Sequence, residues 1–338
     1  MHTPSHIHLT DRTSIATGGR AVSAAVTTTD ILPGAVIDLL PPDVALIVRN
    51  LTPAQQSRLE EIRMRLHRPL ELVGVAIARG MIISPEHLRH VMATVTGSSV
   101  YAVEQELRRG YVTLAGGHRV GVAGRVVVDE QDHVRSIRDV GSVNIRLARQ
   151  IIGSAERLGA YILEGRHRLL PTLIAGPPLS GKTTLLRDLA RLLGNGELSS
   201  HLGPLRVAIV DERSEIAGCY KGAPQFDVGL LTDVLDGCPK QAGMYLMLRS
   251  MAPQVLMTDE IGSAADVQAI VDVALAGVCF VGTLHARTVS DLQSREAVRD
   301  LLRAGAIERI LFVGRKHGPG TIERVYDGQL REVTAAWH

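Results

Sequence analysis

Long apolar runs are missing from this chain: none reaches the roughly 18 residues a helix needs to span a bilayer, so any membrane role requires a partner. Cysteine is scarce. Cys219, Cys238 and Cys279 show no CxxC spacing and leave an odd count, which excludes a zinc cluster or a disulfide framework and fits a reduced, cytosolic protein. No signal-peptide pattern opens the chain. Lysine is nearly absent, represented by Lys182, Lys221, Lys240 and Lys316, and arginine supplies the remaining positive charge. The formal net charge is only +2, which argues against a dedicated nucleic-acid binder. Aromatics make up 3% of the chain. What is plentiful is apolar residues, at 45% of 338, enough for the core of one large or two modest domains.

One stretch carries chemistry on its own. Gly176-Pro177-Pro178-Leu179-Ser180-Gly181-Lys182-Thr183 matches G-x-x-x-x-G-K-[ST] in full. Residues 169–175 read as a short buried strand before it. Thr184 to Leu193 reads as a helix after it, with Leu185, Leu186, Leu189, Leu192 and Leu193 on its apolar side. A strand feeding a glycine loop that opens a helix aims backbone N–H groups and the positive helix end at phosphate. Gly176, Pro177, Ser180, Gly181 and Thr184 would line the cradle, Lys182 would reach the β- and γ-phosphates, and Thr183 would hold Mg2+. The expected ligands are ATP and Mg2+.

Around this loop the chain divides into three expected regions. Residues 1–35, rich in Thr, Ser, Ala and His without a period, read as a flexible leader. Residues 36–150 read as a small α+β domain. Its expected elements are a helix over 52–66 behind a Thr-Pro cap, a strand over 70–77, a helix from Ser84 to about Thr96, a third helix over 101–109, and strands 110–114 and 118–128 about a Gly116-Gly117 turn. A helix over 151–167 then leads into an α/β nucleotide domain, 151–338, with strands expected at 206–210, 255–258, 278–283 and 309–313 and a closing hairpin over 321–333 that turns at Asp327-Gly328.

Three strand ends place polar groups where a parallel sheet presents its ligand crevice. Val255 to Thr258 ends in Asp259 and Glu260. Asp259 suits a water-mediated grip on Mg2+ and Glu260 suits polarising an attacking water. Arg206 to Val210 ends in Asp211-Glu212-Arg213-Ser214-Glu215, carboxylates that could orient water or metal. Val281-Gly282 ends in Thr283-Leu284-His285, where Thr283 and His285 could sense the γ-phosphate.

Taken in order, these elements resemble the secretion ATPase superfamily, the hexameric motors of type II and type IV secretion and of type IV pili. Asp211 to Glu215 is similar to its Asp box and Gly282 to Ala286 to its His box. The chain departs from many members in having Asp259 before the glutamate and in lacking a tetra-Cys insertion. The strings VDERSEIAG, DVLDGCPK, GGHRVGVAGR, SVNIRLAR and KHGPGTIERVYDG resemble more narrowly the stage III sporulation AA family of endospore-forming bacteria, over roughly residues 45–335. The fold this implies is a RecA-like P-loop NTPase domain with a mostly parallel sheet, preceded by a small α+β domain. The implied activity is Mg-dependent hydrolysis of ATP. The implied role is the hexameric motor of a secretion-like complex, cytoplasmic and peripheral at the mother-cell face of the forespore membranes, docked on a polytopic membrane platform protein.

Such motors carry arginines of the N-terminal domain over the nucleotide, and Arg119, Arg125, Arg138 and Arg146 stand in similar positions. Arg119 and Arg125 are six apart on a strand-like stretch, which puts them on one side. The competing reading is a nucleic-acid-dependent P-loop ATPase acting on RNA or single-stranded DNA. Residues 45–150 hold 15 arginines against 10 acids, so a basic face is available there. Tyr101 and Tyr111 are the only aromatics of that region, a poor platform for stacking bases.

Overall fold

Burial along residues 61–65 alternates: Ile62 and Met64 are fully buried while Glu61, Arg63 and Arg65 are half-exposed. That is the period of a strand. In the computed structural model, which describes residues 32–97, 106–107, 110–131, 134–165 and 167–333, they form strand β1 (Glu61–Arg65). The expected helix over 52–66 is therefore corrected to a short one. Its start was legible, since Thr52 caps Gln55 in a capping box with Pro53 at the first turn, but the helix stops at Arg58. The strand expected over 70–77 is two strands, β2 (Pro69–Val73) and β3 (Ala76–Ile82), folded about Gly74 at φ +87°. A Cβ there would sit 2.1 Å from the Arg58 carbonyl oxygen.

β4 (Tyr111–Thr113), β5 (Arg119–Val128) and β6 (Val134–Arg146) complete an antiparallel sheet of order β3-β2-β1-β6-β5-β4. One face, with Ile62, Met64, Leu70, Val120, Val143 and Ile145, packs on helices α1 (Gly34–Ile37), α2 (Pro42–Arg49) and α4 (Pro85–Thr96), where α3 is Pro53–Arg58. Leu32, Val36 and Ile37 are buried in that core, so the packed structure reaches into the end of the expected leader. The rest of that leader, 1–31, lies outside the described residues, as does most of the helix expected over 101–109.

The helix expected over 151–167 is corrected to a 3-10 turn at Glu156–Leu158, a single turn α5 (Gly159–Ile162) and a two-residue hairpin of β7 (Leu163–Glu164) and β8 (Arg168–Leu169). Gly153 at φ +83° and Gly165 at φ +58° interrupt any helical run.

The second sheet has the order β11-β10-β12-β13-β9-β14-β15 and is parallel except for the β14–β15 pair. Its strands are β9 (Thr172–Gly176), β10 (Val207–Asp211), β11 (Thr232–Asp236), β12 (Val255–Thr258), β13 (Cys279–His285), β14 (Arg309–Gly314) and β15 (Thr321–Asp327). β11 has no counterpart among the expected strands, because it is an edge strand whose polar residues leave no apolar run. The closing hairpin pairs β15 with β14; after the turn at Asp327 the chain returns through one bridge, Tyr326 to Glu332. Alternate residues of the buried strands serve opposite layers. Ile174, Ile209, Met257 and Leu311 face α6 (Lys182–Asn195). Leu173, Val210, Leu256 and Phe312 face α7 (Lys240–Ser250), α8 (Ala264–Leu275), α9 (Val289–Ser294) and α10 (Glu296–Arg303).

The alternation in β1 yields a direct test. Ile62→Ala should cost about 2–5 kcal/mol in urea unfolding, the range for a truncated core aliphatic. Arg63→Ala, whose guanidinium meets the side chain of nearby Glu61, should stay within about 0.5 kcal/mol. Equal losses at the two positions would return the segment to a helix.

Candidate functional site

β9 ends at Gly176, the loop crosses Pro177 to Gly181, and α6 begins at Lys182. Two glycines allow the close passage. A Cβ on Gly176 would lie 2.4 Å from the Val313 carbonyl oxygen, and one on Gly181, at φ +88°, 2.7 Å from the Gly320 nitrogen. The β14–β15 turn thus leans on the loop, and Gly320 N–H donates to the Ser180 carbonyl at 2.7 Å. Ser180 is buried and its hydroxyl has no hydrogen-bond partner among the described residues. Thr184 is half-buried in the first turn of the helix.

Lys182 is buried at 5% exposure. Its ammonium donates to the carbonyls of Gly176 at 3.1 Å and Pro177 at 2.8 Å and lies 3.2 Å from His285 Nδ1. Burial pulls its pKa below the usual lysine value, against the pull of Asp259 and Glu260. An ammonium has no lone pair, so His285 Nδ1 accepts; Nε2 then carries the proton and donates to Glu260 Oε1 at 3.0 Å.

The register of the sheet sets these strand ends level, with His285 opposite Gly176 and Thr258 opposite Gly282. Asp259 is buried. One carboxylate oxygen accepts from Thr183 Oγ1, and the other from Thr283 Oγ1 and from the Glu260 N–H. Thr283 therefore anchors Asp259 from within the sheet. Glu260 sits at φ +53°, a backbone region that non-glycine residues seldom occupy and that recurs at functional sites. Burial pushes its carboxyl up, but the His285 bond and the Arg213 charge outweigh it and hold it below the usual range.

The acidic run after β10 splits into separate tasks. Asp211 is buried and accepts from the N–H groups of Glu215, Ile216 and Ala217, which fixes the loop. Glu212 pairs with Lys240. Glu215 meets Arg119 at 3.0 Å, and Arg213 meets Glu260 at 2.5 Å. Arg119 also donates to the Arg213 carbonyl and lies over the Tyr111 ring at 4.7 Å. Arg125 is not brought to this place. Between Ala123 and Arg125 the register shifts: Ala123 faces Ser142 but Arg125 faces Arg138, so the extra residues lie on β6, and a Cβ on Gly124 would sit 2.7 Å from the Arg138 carbonyl oxygen. Arg138 lies across from Arg125, and Arg146 pairs with Glu61 at 3.2 Å.

Neither Arg213 nor Arg187 stands out in the sequence. Arg187 is buried, stacks on Phe226 at 3.9 Å and donates to the carbonyls of Glu215 at 2.6 Å and Ile216. Desolvation brings its pKa down to about 10. The available signal was an arginine one turn beyond Thr183 on a helix buried nearly all round.

The donor set fits Mg2+ with a nucleotide. One hydroxyl, Thr183, and one carboxylate, Asp259, adjoin the loop, and among the described residues no cluster of three or more His, Cys, Asp or Glu forms a protein cage for a metal. Mg2+ is ordinarily held in this way, by few protein ligands together with phosphate. The orphaned Ser180 hydroxyl and the glycine-only backbone approach agree with a cradle for an anion.

The profile of the family described as "Sporulation stage III, protein AA" matches residues 35–333. The chain belongs to that family. It is 42% identical over 294 residues to the stage III sporulation protein AA of Bacillus subtilis (strain 168), covering 86% of this chain and 94% of that one. In three dimensions it is similar to the pilus retraction motor PilT with bound ADP, at a TM-score of 0.51 and 14% identity over 75% of this chain and 74% of that one. It is also similar to the Yersinia pseudotuberculosis ATPase DotB, at 0.50 and 14% over 77% and 71%. These likenesses show a RecA-like α/β fold shared with that motor and that ATPase.

Asp211 supplies a pH test of the loop. Burial raises its carboxyl from 3.8 to about 6, opposed by its backbone hydrogen bonds. A folded pKa above the unfolded one means that protonation favours the fold. That contribution is complete below about 3.8 and lost as pH rises through about 6. The stability of wild type relative to Asp211→Asn, from urea unfolding, should therefore grow as pH is lowered through that window. A constant difference would mean that burial does not strain the carboxylate.

Proposed function

We propose that this stage III sporulation family member hydrolyses ATP as the motor of a secretion-type complex in endospore formation. The observation that carries the reading is the convergence at one sheet edge of Lys182, Thr183, Asp259, Glu260 and His285, linked by hydrogen bonds. Lys182, desolvated beside neutral acceptors, gains a polyphosphate as partner. Gly176, Pro177, Ser180, Gly181 and Thr184 shape the cradle. Thr183 and Asp259 hold Mg2+, which when bound neutralises phosphate charge. Glu260 polarises the attacking water, and His285, bridging Glu260 and Lys182, links the carboxylate to the phosphate end. Glu215 seats Arg119, which lines a cleft together with Thr183; Arg125, beyond the register shift, is exposed and can serve an adjoining copy.

The working assembly we propose is a homo-hexamer that docks from the cytoplasm on a polytopic membrane platform protein at the mother-cell membrane. Support comes from the resemblance to secretion motors, and from the fact that no helix among the described residues is long and apolar enough to cross a membrane.

Lys182→Ala should reduce hydrolysis to background and weaken nucleotide binding. Glu260→Gln should keep ATP affinity while turnover drops about a hundred- to ten-thousand-fold, the usual contribution of a general base. Normal turnover in folded Lys182→Ala would reject the site. Specific activity should rise with protein concentration as the assembly forms; stimulation by single-stranded RNA or DNA instead would favour the nucleic-acid reading.

A further inference from the structure

Both oxygens of the Glu260 carboxylate are engaged, Oε1 by His285 at 3.0 Å and Oε2 by Arg213 at 2.5 Å. His285 comes from β13, inside the site. Arg213 comes from the loop after β10, and its side chain is 61% exposed. The backbone of that loop is tied at one end by Asp211, which binds three successive N–H groups. At its other handle, the Arg213 carbonyl accepts from Tyr111 Oη at 3.1 Å and from the Arg119 guanidinium, two donors from the small sheet.

We propose that Arg213 is a positioning residue that holds Glu260 in a resting arrangement, and that the grip of Tyr111 and Arg119 on the Arg213 carbonyl makes this hold depend on how the small sheet is seated. The inference rests on the hydrolase reading above. An ion pair this exposed adds little stability, so a strut is a poor account of it. Its chemical effect is larger: the guanidinium competes with water for an oxygen of the carboxylate that is to polarise water. The hold ends when the guanidinium is displaced from the carboxylate. Room for displacement exists in a cleft of about 480 Å³ lined by Tyr111, Arg119, Glu212, Arg213, Glu215 and Pro239. The acid beside Arg213 in sequence, Glu212, is occupied by Lys240 and does not divert it. Withdrawal of the small sheet would free Glu260 from Arg213 and Arg119 from Glu215 in one movement.

The test is ATP turnover of the full chain, with affinity followed separately through a fluorescent ATP analogue. Arg213→Gln should raise kcat about two- to fivefold, the span that a half-exposed ion pair can hold back, with KM and affinity unchanged. Arg213→Lys, which retains a charge, should fall nearer wild type. Tyr111→Phe, which removes only the hydroxyl bond to the carbonyl, should raise kcat less and add nothing on top of Arg213→Gln. Arg119 is kept in all variants, because its loss would remove both a grip and a cation. A lower or unchanged kcat in Arg213→Gln, or a drop in affinity of the same size, overturns the proposal while leaving the hydrolase reading intact. A wild-type chain that neither binds nor hydrolyses ATP sinks the hydrolase reading, and the hold on Glu260 with it.

Discussion

An ammonium taken out of water governs the whole sheet edge. Lys182 is nearly inaccessible, yet its nearest partners are two carbonyls of its own loop and one imidazole; the carboxylates of Asp259 and Glu260 act on it without touching it. Removing a charge from water is costly unless opposite charge or oriented dipoles replace the solvent. The loop supplies the dipoles, at a geometry that glycines at 176 and 181 permit. The imidazole joins the ammonium to Glu260 and fixes its own tautomer in doing so. Nothing in that arrangement is held by apolar packing alone, which is why it depends so closely on strand register. A shift of one residue between β13 and β9 would turn His285 to the other face of the sheet.

Around this point the two sheets contribute differently. The parallel sheet is buried on both faces and brings its strand ends into a row. The antiparallel sheet buries one face on its helices and meets the other through single polar contacts: Arg119 to Glu215, Tyr111 to the Arg213 carbonyl, and Gly116 N–H to Gln225. Contacts of that kind are easily exchanged for water and for one another. Two separately packed cores joined by exchangeable hydrogen bonds form an architecture in which one sheet can shift against the other without unpacking either.

Much of this was legible in the residues. The P-loop, the strands that flank it and the Asp259-Glu260 strand end follow from local pattern, because a parallel strand buried on both faces is a plain apolar run and its polar tip is contiguous with it. What escaped was of two kinds. At Glu61–Arg65 the charged residues of a half-buried strand imitate a helical surface over a short window, and only the burial of Ile62 and Met64 shows the period. Arg213, Arg187 and Tyr111 owe their roles to partners distant in the chain, such as Tyr111 with the carbonyl of Arg213, and no local spacing encodes those.

The seating of the β14–β15 turn against the P-loop has a consequence for how the chain is made. Strand β9 lies between β13 and β14, and Gly181 is braced by Gly320, so the phosphate cradle is held on one side by residues translated long after it. A nascent chain emerging from its N-terminus displays the complete P-loop sequence while the central strand still lacks both neighbours. The loop geometry that Gly320 braces is therefore complete only once the final hairpin has closed against it.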